Sequence, residues 1–248
     1  MQYTRQPFEV AHPSGMVIRG ISFTPVGTGR PMPAVIISHG FNGTCAPMQD
    51  RGEAYAAEGI ACFMFDFRGG SIHTTSDGVL SEMMTLQTEV EDLKLIIAWV
   101  RTRQDIDPDR IYLQGESQGG MVSALTAQDD PAAYPGLLLW FPALIIPEDA
   151  ARRYAAHIDS IWNIRLCPDY DRLAKDVNPW SRMPEYPGRV LLLQGSDDPV
   201  VPPAVTERAA SLYQHVQRIV YHGAGHGFNG KDLQDAIRAC VDFVKAGS

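Results

Sequence analysis

The stretch YLQGESQGGMV, residues 112–122, sets Ser117 among Gly115, Gly119 and Gly120. The short apolar run RIYLQ precedes it and a helical pattern, GGMVSALTAQ, follows it. Glycine weakens strands and helices alike, so three at one junction imply a backbone that larger residues would obstruct. A sharp strand-to-helix turn meets that description. It lifts the serine hydroxyl above the end of the strand, where side chains two residues before and after it would collide. G-x-S-x-G alone is common by chance; the strand–turn–helix setting makes it specific. The helix N-terminus beneath Ser117 also favours negative charge nearby.

Outward from this turn, short apolar runs alternate with helical patterns. PAVIISHG, IACFMFDFRGG, RIYLQG, GLLLWFP, RVLLLQG and QRIVYHG read as strands. They are continuous apolar runs, which suits a sheet covered on both faces. In TLQTEVEDLKLIIAWVRTR, Leu86, Val90, Leu93, Ile97 and Val100 recur at three- and four-residue steps and form one apolar stripe. Its glutamates sit early and its arginines late, as the helix dipole favours. Residues 119–128, 203–214 and 231–246 also read as helices. The alternation predicts an α/β fold with a doubly wound, mostly parallel sheet. Residues 6–12 and 16–24, joined by the turn signal HPSG, predict an antiparallel hairpin at one edge.

One segment breaks the rhythm. Residues 143–187 carry Pro147, Pro168, Pro179, Pro184 and Pro187 with Tyr154, Trp162, Tyr170 and Trp180. That is long for a crossover, and predicts a small cap inserted over the carboxyl edge of the sheet. A crossover helix with a wandering loop is the plainer alternative. The chain otherwise reads as one domain over residues 1–248.

Composition narrows the function. Of 248 residues, 45% are apolar and 20% charged, as in ordinary soluble proteins. A formal charge of −8 argues against nucleic acid, which needs clustered Lys and Arg. No apolar run is long enough to span a bilayer, and MQYTRQPFEVAHPSG lacks the pattern of a secretory signal. Cys45, Cys62, Cys167 and Cys240 are scattered without a CxxC pair, which fits reduced thiols in a cytoplasmic protein and no metal site.

A serine hydroxyl needs a base to take its proton, and that base is expected to be a histidine oriented by a carboxylate. LLLQGSDDPVVPP supplies Asp197 and Asp198 at a strand end. Asp198, immediately before PVVP, is the expected acid, and Asp197 a turn residue. VYHGAGHGF supplies His226, flanked by Gly225 and Gly227 in a loop after the last strand; His222 is expected to end that strand. Acyl transfer also needs two donors for the oxyanion. The N–H of Gln118, after the serine, and of Phe41, after His39-Gly40, are the candidates. His39 is expected to pack and hydrogen-bond its loop.

HGF, FDFRG, GESQGG, GSDDPVVP and GAGHGF fall in the order and spacing of the α/β-hydrolase superfamily, which the chain resembles over nearly its whole length. DFRGGSIHTTSDG…EMMTLQTEVEDL with GESQGG looks like bacterial cinnamoyl and feruloyl esterases. One departure is Glu116, where such enzymes commonly have histidine. The resemblance implies a serine esterase working through Ser117, His226 and Asp198 by an acyl-enzyme, without cofactor, on small or feruloyl-type esters. Peptidase, acyltransferase and non-catalytic binding protein are the alternatives. Tyr154, Trp162 and Tyr170 are candidate substrate contacts, each Tyr hydroxyl able to meet a phenol; they could equally build the cap's own core. The expected partner is a small-molecule ester, with no nucleic acid or membrane, and a homodimer is left open.

Overall fold

A computed structural model describes residues 1–247. The sheet strands are β1 (Tyr3–Ala11), β2 (Val17–Pro25), β3 (Met32–Ser38), β4 (Ala61–Phe65), β5 (Ile106–Glu116) and β6 (Gly136–Trp140). A two-stranded hairpin follows, β7 (Ser160–Ile161) and β8 (Ile164–Arg165), and then β9 (Arg189–Gly195) and β10 (His215–Tyr221). The main sheet has eight strands in the order β1-β2-β4-β3-β5-β6-β9-β10. The first hairpin is antiparallel, and β2 pairs antiparallel with β4. Every other pairing in this sheet is parallel. The doubly wound sheet read from the sequence is therefore the sheet observed.

The helices are α1 (Gln49–Ala57), α2 (Leu80–Met83), α3 (Leu86–Arg101), α4 (Gln118–Asp129), α5 (Ile146–Ala155), α6 (Asp169–Ala174), α7 (Pro203–Leu212) and α8 (Gly230–Ala246). The central strands are apolar on both faces because both faces are covered. Ala34, Ile36, Val190 and Leu192 join one core with Leu93, Ile97, Val122 and Val205 of α3, α4 and α7. Their neighbours Val35, Ile37, Leu191 and Leu193 point the other way, into a core with Tyr55 of α1 and Cys240 and Val244 of α8. Strand side chains alternate faces, so an unbroken apolar run fills two cores. Helix α3 begins where the stripe begins: Thr85 accepts from Thr88 N and the Thr88 hydroxyl accepts from Thr85 N, at 3.1 and 2.9 Å.

Residues 143–187 hold α5, the β7–β8 hairpin, α6 and a 3₁₀ turn at Met183–Glu185, rather than one crossover helix. Arg153 of α5 grips Asp171 of α6 through two bonds of 3.0 and 2.7 Å, and so ties the insert's helices together. Among the described residues no helix is long and apolar enough to cross a membrane.

Candidate active site

In parallel strands the carboxyl ends share one edge, and the loops that leave β3, β5, β6, β9 and β10 meet there. Ser117 stands between β5 and α4 with φ 54° and ψ −118°, a strained conformation for a residue with a Cβ. The glycines explain how the turn closes. A Cβ on Gly115 would lie 2.1 Å from Gly119 O, and one on Gly119 would lie 2.3 Å from Ser38 O. The second approach is to the end of β3, so Gly119 lets the helix start press against the neighbouring strand.

His226 Nε2 is 3.0 Å from Ser117 Oγ, and its Nδ1 is 2.8 Å from Asp198 Oδ2. Three residues from three loops thus form one hydrogen-bonded row. The Asp198 side chain is fully buried and that of His226 is 18% exposed. Asp198 Oδ1 accepts from Val200 N and Val201 N at 2.8 and 2.9 Å. Burial pushes the Asp198 carboxyl upward, but the bond from His226 and these two N–H groups outweigh it and hold it below the ordinary carboxylate value. Asp197 is exposed and accepts from the Ser196 hydroxyl. The Phe141 ring lies 4.7 Å from the His226 ring and backs it.

The loop after β3 reaches the same place. A Cβ on Gly40 would sit 3.1 Å from Ser117 Cβ, so Phe41 follows a backbone pressed against the serine. Gln118 opens α4, where a helix N–H has no intrahelical partner. Both candidate donors therefore flank Ser117. His39 is buried; its Nε2 accepts from Phe67 N at 3.2 Å, which leaves Nδ1 to donate to Gly40 O at 2.8 Å. Burial holds its pKa below the ordinary value, so it is a neutral brace for the loop.

A cavity of about 260 Å³ opens over Ser117, walled by Phe41, Ile145, Ile161, Trp162, Tyr170 and Val200 among others. The insert supplies much of this wall. Trp162 is 64% exposed and meets the Phe41 ring edge-on at 5.9 Å. Tyr170 is buried in the wall. Tyr154 corrects the expectation drawn from the sequence: it lies outside the cavity, half exposed, with the Lys175 ammonium 5.5 Å from its ring. It ends the amphipathic helix α5, whose turn there faces solvent. A wider groove of about 760 Å³, between α1 and α8, has none of these residues in its wall.

Residues 29–186 match the model of the family described as serine aminopeptidase, S33, and residues 156–248 that of TAP-like proteins. The chain belongs to the S33 family of α/β-hydrolases. This α/β-hydrolase is 33% identical over 99 residues to the quorum-quenching protein AidA of Acinetobacter baumannii, covering 40% of this chain and 32% of that one. It is 28% identical over 166 residues to caffeoylshikimate esterase of Arabidopsis thaliana, covering 66% and 46%. It thus spans about a third and about half of the length of these two relatives. Est1E from Butyrivibrio proteoclasticus, solved with ferulic acid, superposes with a TM-score of 0.83 at 21% identity, over 100% of this chain and 99% of that one.

Two features of this hydrolase were not read from the sequence. Glu116 is largely but not fully buried beside the serine and pairs with Arg51 of α1 at 2.6 Å, and the Arg51 guanidinium lies 4.8 Å over the Trp140 ring. Burial pushes the Glu116 carboxyl up, and Arg51 opposes that. Behind Gln118, its side chain bonds Glu89 and Tyr170. Neither set could be found by spacing, because its members lie 29 to 65 residues apart in the chain. The available signals were Glu116 itself, in the place where histidine is common, and Glu89 on the apolar side of α3.

Proposed function

We propose that this chain is a serine carboxylic-ester hydrolase acting on small or hydroxycinnamoyl esters. The observation that carries the reading is the row from Asp198 through His226 to Ser117, with the serine raised on a strained turn between the Phe41 and Gln118 backbones. Ser117 Oγ attacks the ester carbonyl as His226 Nε2 takes its proton. Asp198 keeps the other imidazole proton on Nδ1 and stabilises the imidazolium. The carbonyl oxygen, now negative, is received by Phe41 N–H and Gln118 N–H. The bond to the alcohol oxygen then breaks, and His226 returns the proton to the departing alcohol. Water, deprotonated by the same histidine, attacks the acyl-enzyme; the carboxylic acid leaves and Ser117 regains its proton.

The substrate size rests on the cavity. Its volume of about 260 Å³ is below the usual range for drug-sized ligands, about 300–1,000 Å³. The walls are mostly apolar, with aliphatic side chains beside the rings of Phe41, Trp162 and Tyr170 and with Asp149 and Arg153 as the charged members, which favours a flat or short acyl group. The esterase name of the plant relative and the ferulic acid in the Est1E structure support the same class. The test is a panel: nitrophenyl esters of rising acyl length, methyl ferulate, chlorogenate and aminoacyl nitroanilides. Turnover of short or feruloyl esters well above the anilides supports the proposal. Faster cleavage of the anilides would make the chain a peptidase, and no turnover of any would favour a binding protein.

A further inference from the structure

The Gln118 side chain is held at both ends. Its Nε2 donates to Glu89 Oε2 of α3 at 2.8 Å and more weakly to Met84 Sδ at 3.8 Å, and its Oε1 accepts from the Tyr170 hydroxyl of α6 at 2.5 Å. Gln118, Glu89 and Tyr170 are only 1% exposed. The Tyr170 ring also meets the Phe41 ring edge-on, with centroids 6.5 Å apart. One residue of the insert therefore touches both residues whose backbone N–H groups flank Ser117. Its hydroxyl is already engaged by Gln118, and so is not free to greet a phenol. A buried amide stripped of one partner must turn to find another or stay unsatisfied. Either response acts on the first residue of α4.

We propose that Tyr170 and Glu89 are positioning residues for the oxyanion site, acting through Gln118, and, for Tyr170, through Phe41 as well. This rests on the reading of Ser117 as nucleophile. It makes the insert part of the acyl-transfer machinery: the wall against which the acyl group lies is the same ring that steadies the two donors. Tyr170 then governs the rate of bond formation rather than the strength of substrate binding.

A fluorophosphonate separates the two roles, because its phosphoryl oxygen takes the place of the oxyanion. The Ser117 Oγ–P bond forms as the P–F bond breaks, fluoride leaves, and His226 accepts the serine proton. The maximal labelling rate (kinact) and the half-saturating concentration (KI) are measured for the whole protein and for Y170F, E89A and E89Q, with circular dichroism of each. Removing one oxyanion donor outright costs about 10²–10³; a donor merely loosened is expected to cost about tenfold. Y170F and E89A should lose that factor in kinact with KI unchanged. E89Q, which keeps an acceptor oxygen for Gln118, should recover most of it. Unchanged kinact in Y170F and E89A, or a loss confined to KI, would overturn the proposal. Failure of the unaltered protein to label at Ser117 would instead overturn the nucleophile reading, and the positioning role with it.

Discussion

Replacing Asp198 with asparagine exchanges one oxygen for an NH2 group, and the neighbours dictate which way the new amide faces. Asp198 Oδ1 accepts two main-chain N–H groups, from Val200 and Val201. The asparagine oxygen must stay there, because the flipped amide would set its NH2 against both donors. Losing two such bonds costs about 1 kcal/mol each or more, against the single longer bond of 3.3 Å from Gln194 Nε2 to Oδ2 that the unflipped form gives up, which favours the unflipped form by about fivefold or more at 1.36 kcal/mol per tenfold. The NH2 then points at His226 Nδ1, now 2.8 Å from Oδ2. It donates to that nitrogen, so the imidazole proton moves to Nε2, the nitrogen that faces Ser117 Oγ. A histidine in that tautomer cannot take the serine proton, and the negative charge that would stabilise the imidazolium is gone as well. The expected loss in kcat for D198N is about 10³–10⁴. D197N should stay within about twofold, since Asp197 is exposed and bonds only locally through its side chain. The assay is steady-state hydrolysis of 4-nitrophenyl butyrate, with circular dichroism to show both variants folded. Equal losses in the two variants, or D198N above a tenth of wild-type rate, would refute the tautomer argument.

Trp162→Ala should change the ratio of kcat/KM between feruloyl and butyryl esters while shifting Tm by no more than about 2 °C, because the ring is mostly exposed; an unaltered ratio removes Trp162 from the acyl site. Burial pushes Glu89 up to about 8, with the Gln118 bond opposing and Asp92 adding to the rise. The folded chain thus keeps a proton that the unfolded chain releases above the ordinary value of 4.5, so this group withdraws stability as pH rises from about 4.5 and levels off above about 8. Melting curves of the wild type and E89Q should therefore diverge from pH 5 to pH 8, the variant gaining relative stability; parallel curves across that range would show that Glu89 is ionised throughout.

Much of this architecture is legible in the sequence because local chemistry dictates it. GESQGG demands a turn that only small residues permit, and five of the six apolar runs are strands covered on both faces, the sixth being the half-exposed edge strand β10. Asp198 and His226 are readable because each follows such a run, and parallel strands deliver their loops to one edge. Helix α1 was not read: QDRGEAYAA has little apolar periodicity, and its Arg51 is buried by a pairing with Glu116, 65 residues away. The aromatic residues of the insert looked equivalent as a group, yet the structure separates them. Tyr154 turns to Lys175, Trp162 stands at the cavity mouth, and Tyr170 spends its hydroxyl on Gln118. No spacing rule distinguishes these fates, since each depends on a partner from another element.

The central claim, that Ser117 is the nucleophile of an ester hydrolase, is tested most directly by Ser117→Ala. The side chain is small and the turn is preserved, so the circular dichroism spectrum and Tm should match the wild type. Hydrolysis of 4-nitrophenyl butyrate should fall by about 10⁴ or more, as expected when one member of a catalytic unit is removed. Turnover near the wild-type rate in a folded S117A variant would contradict the account.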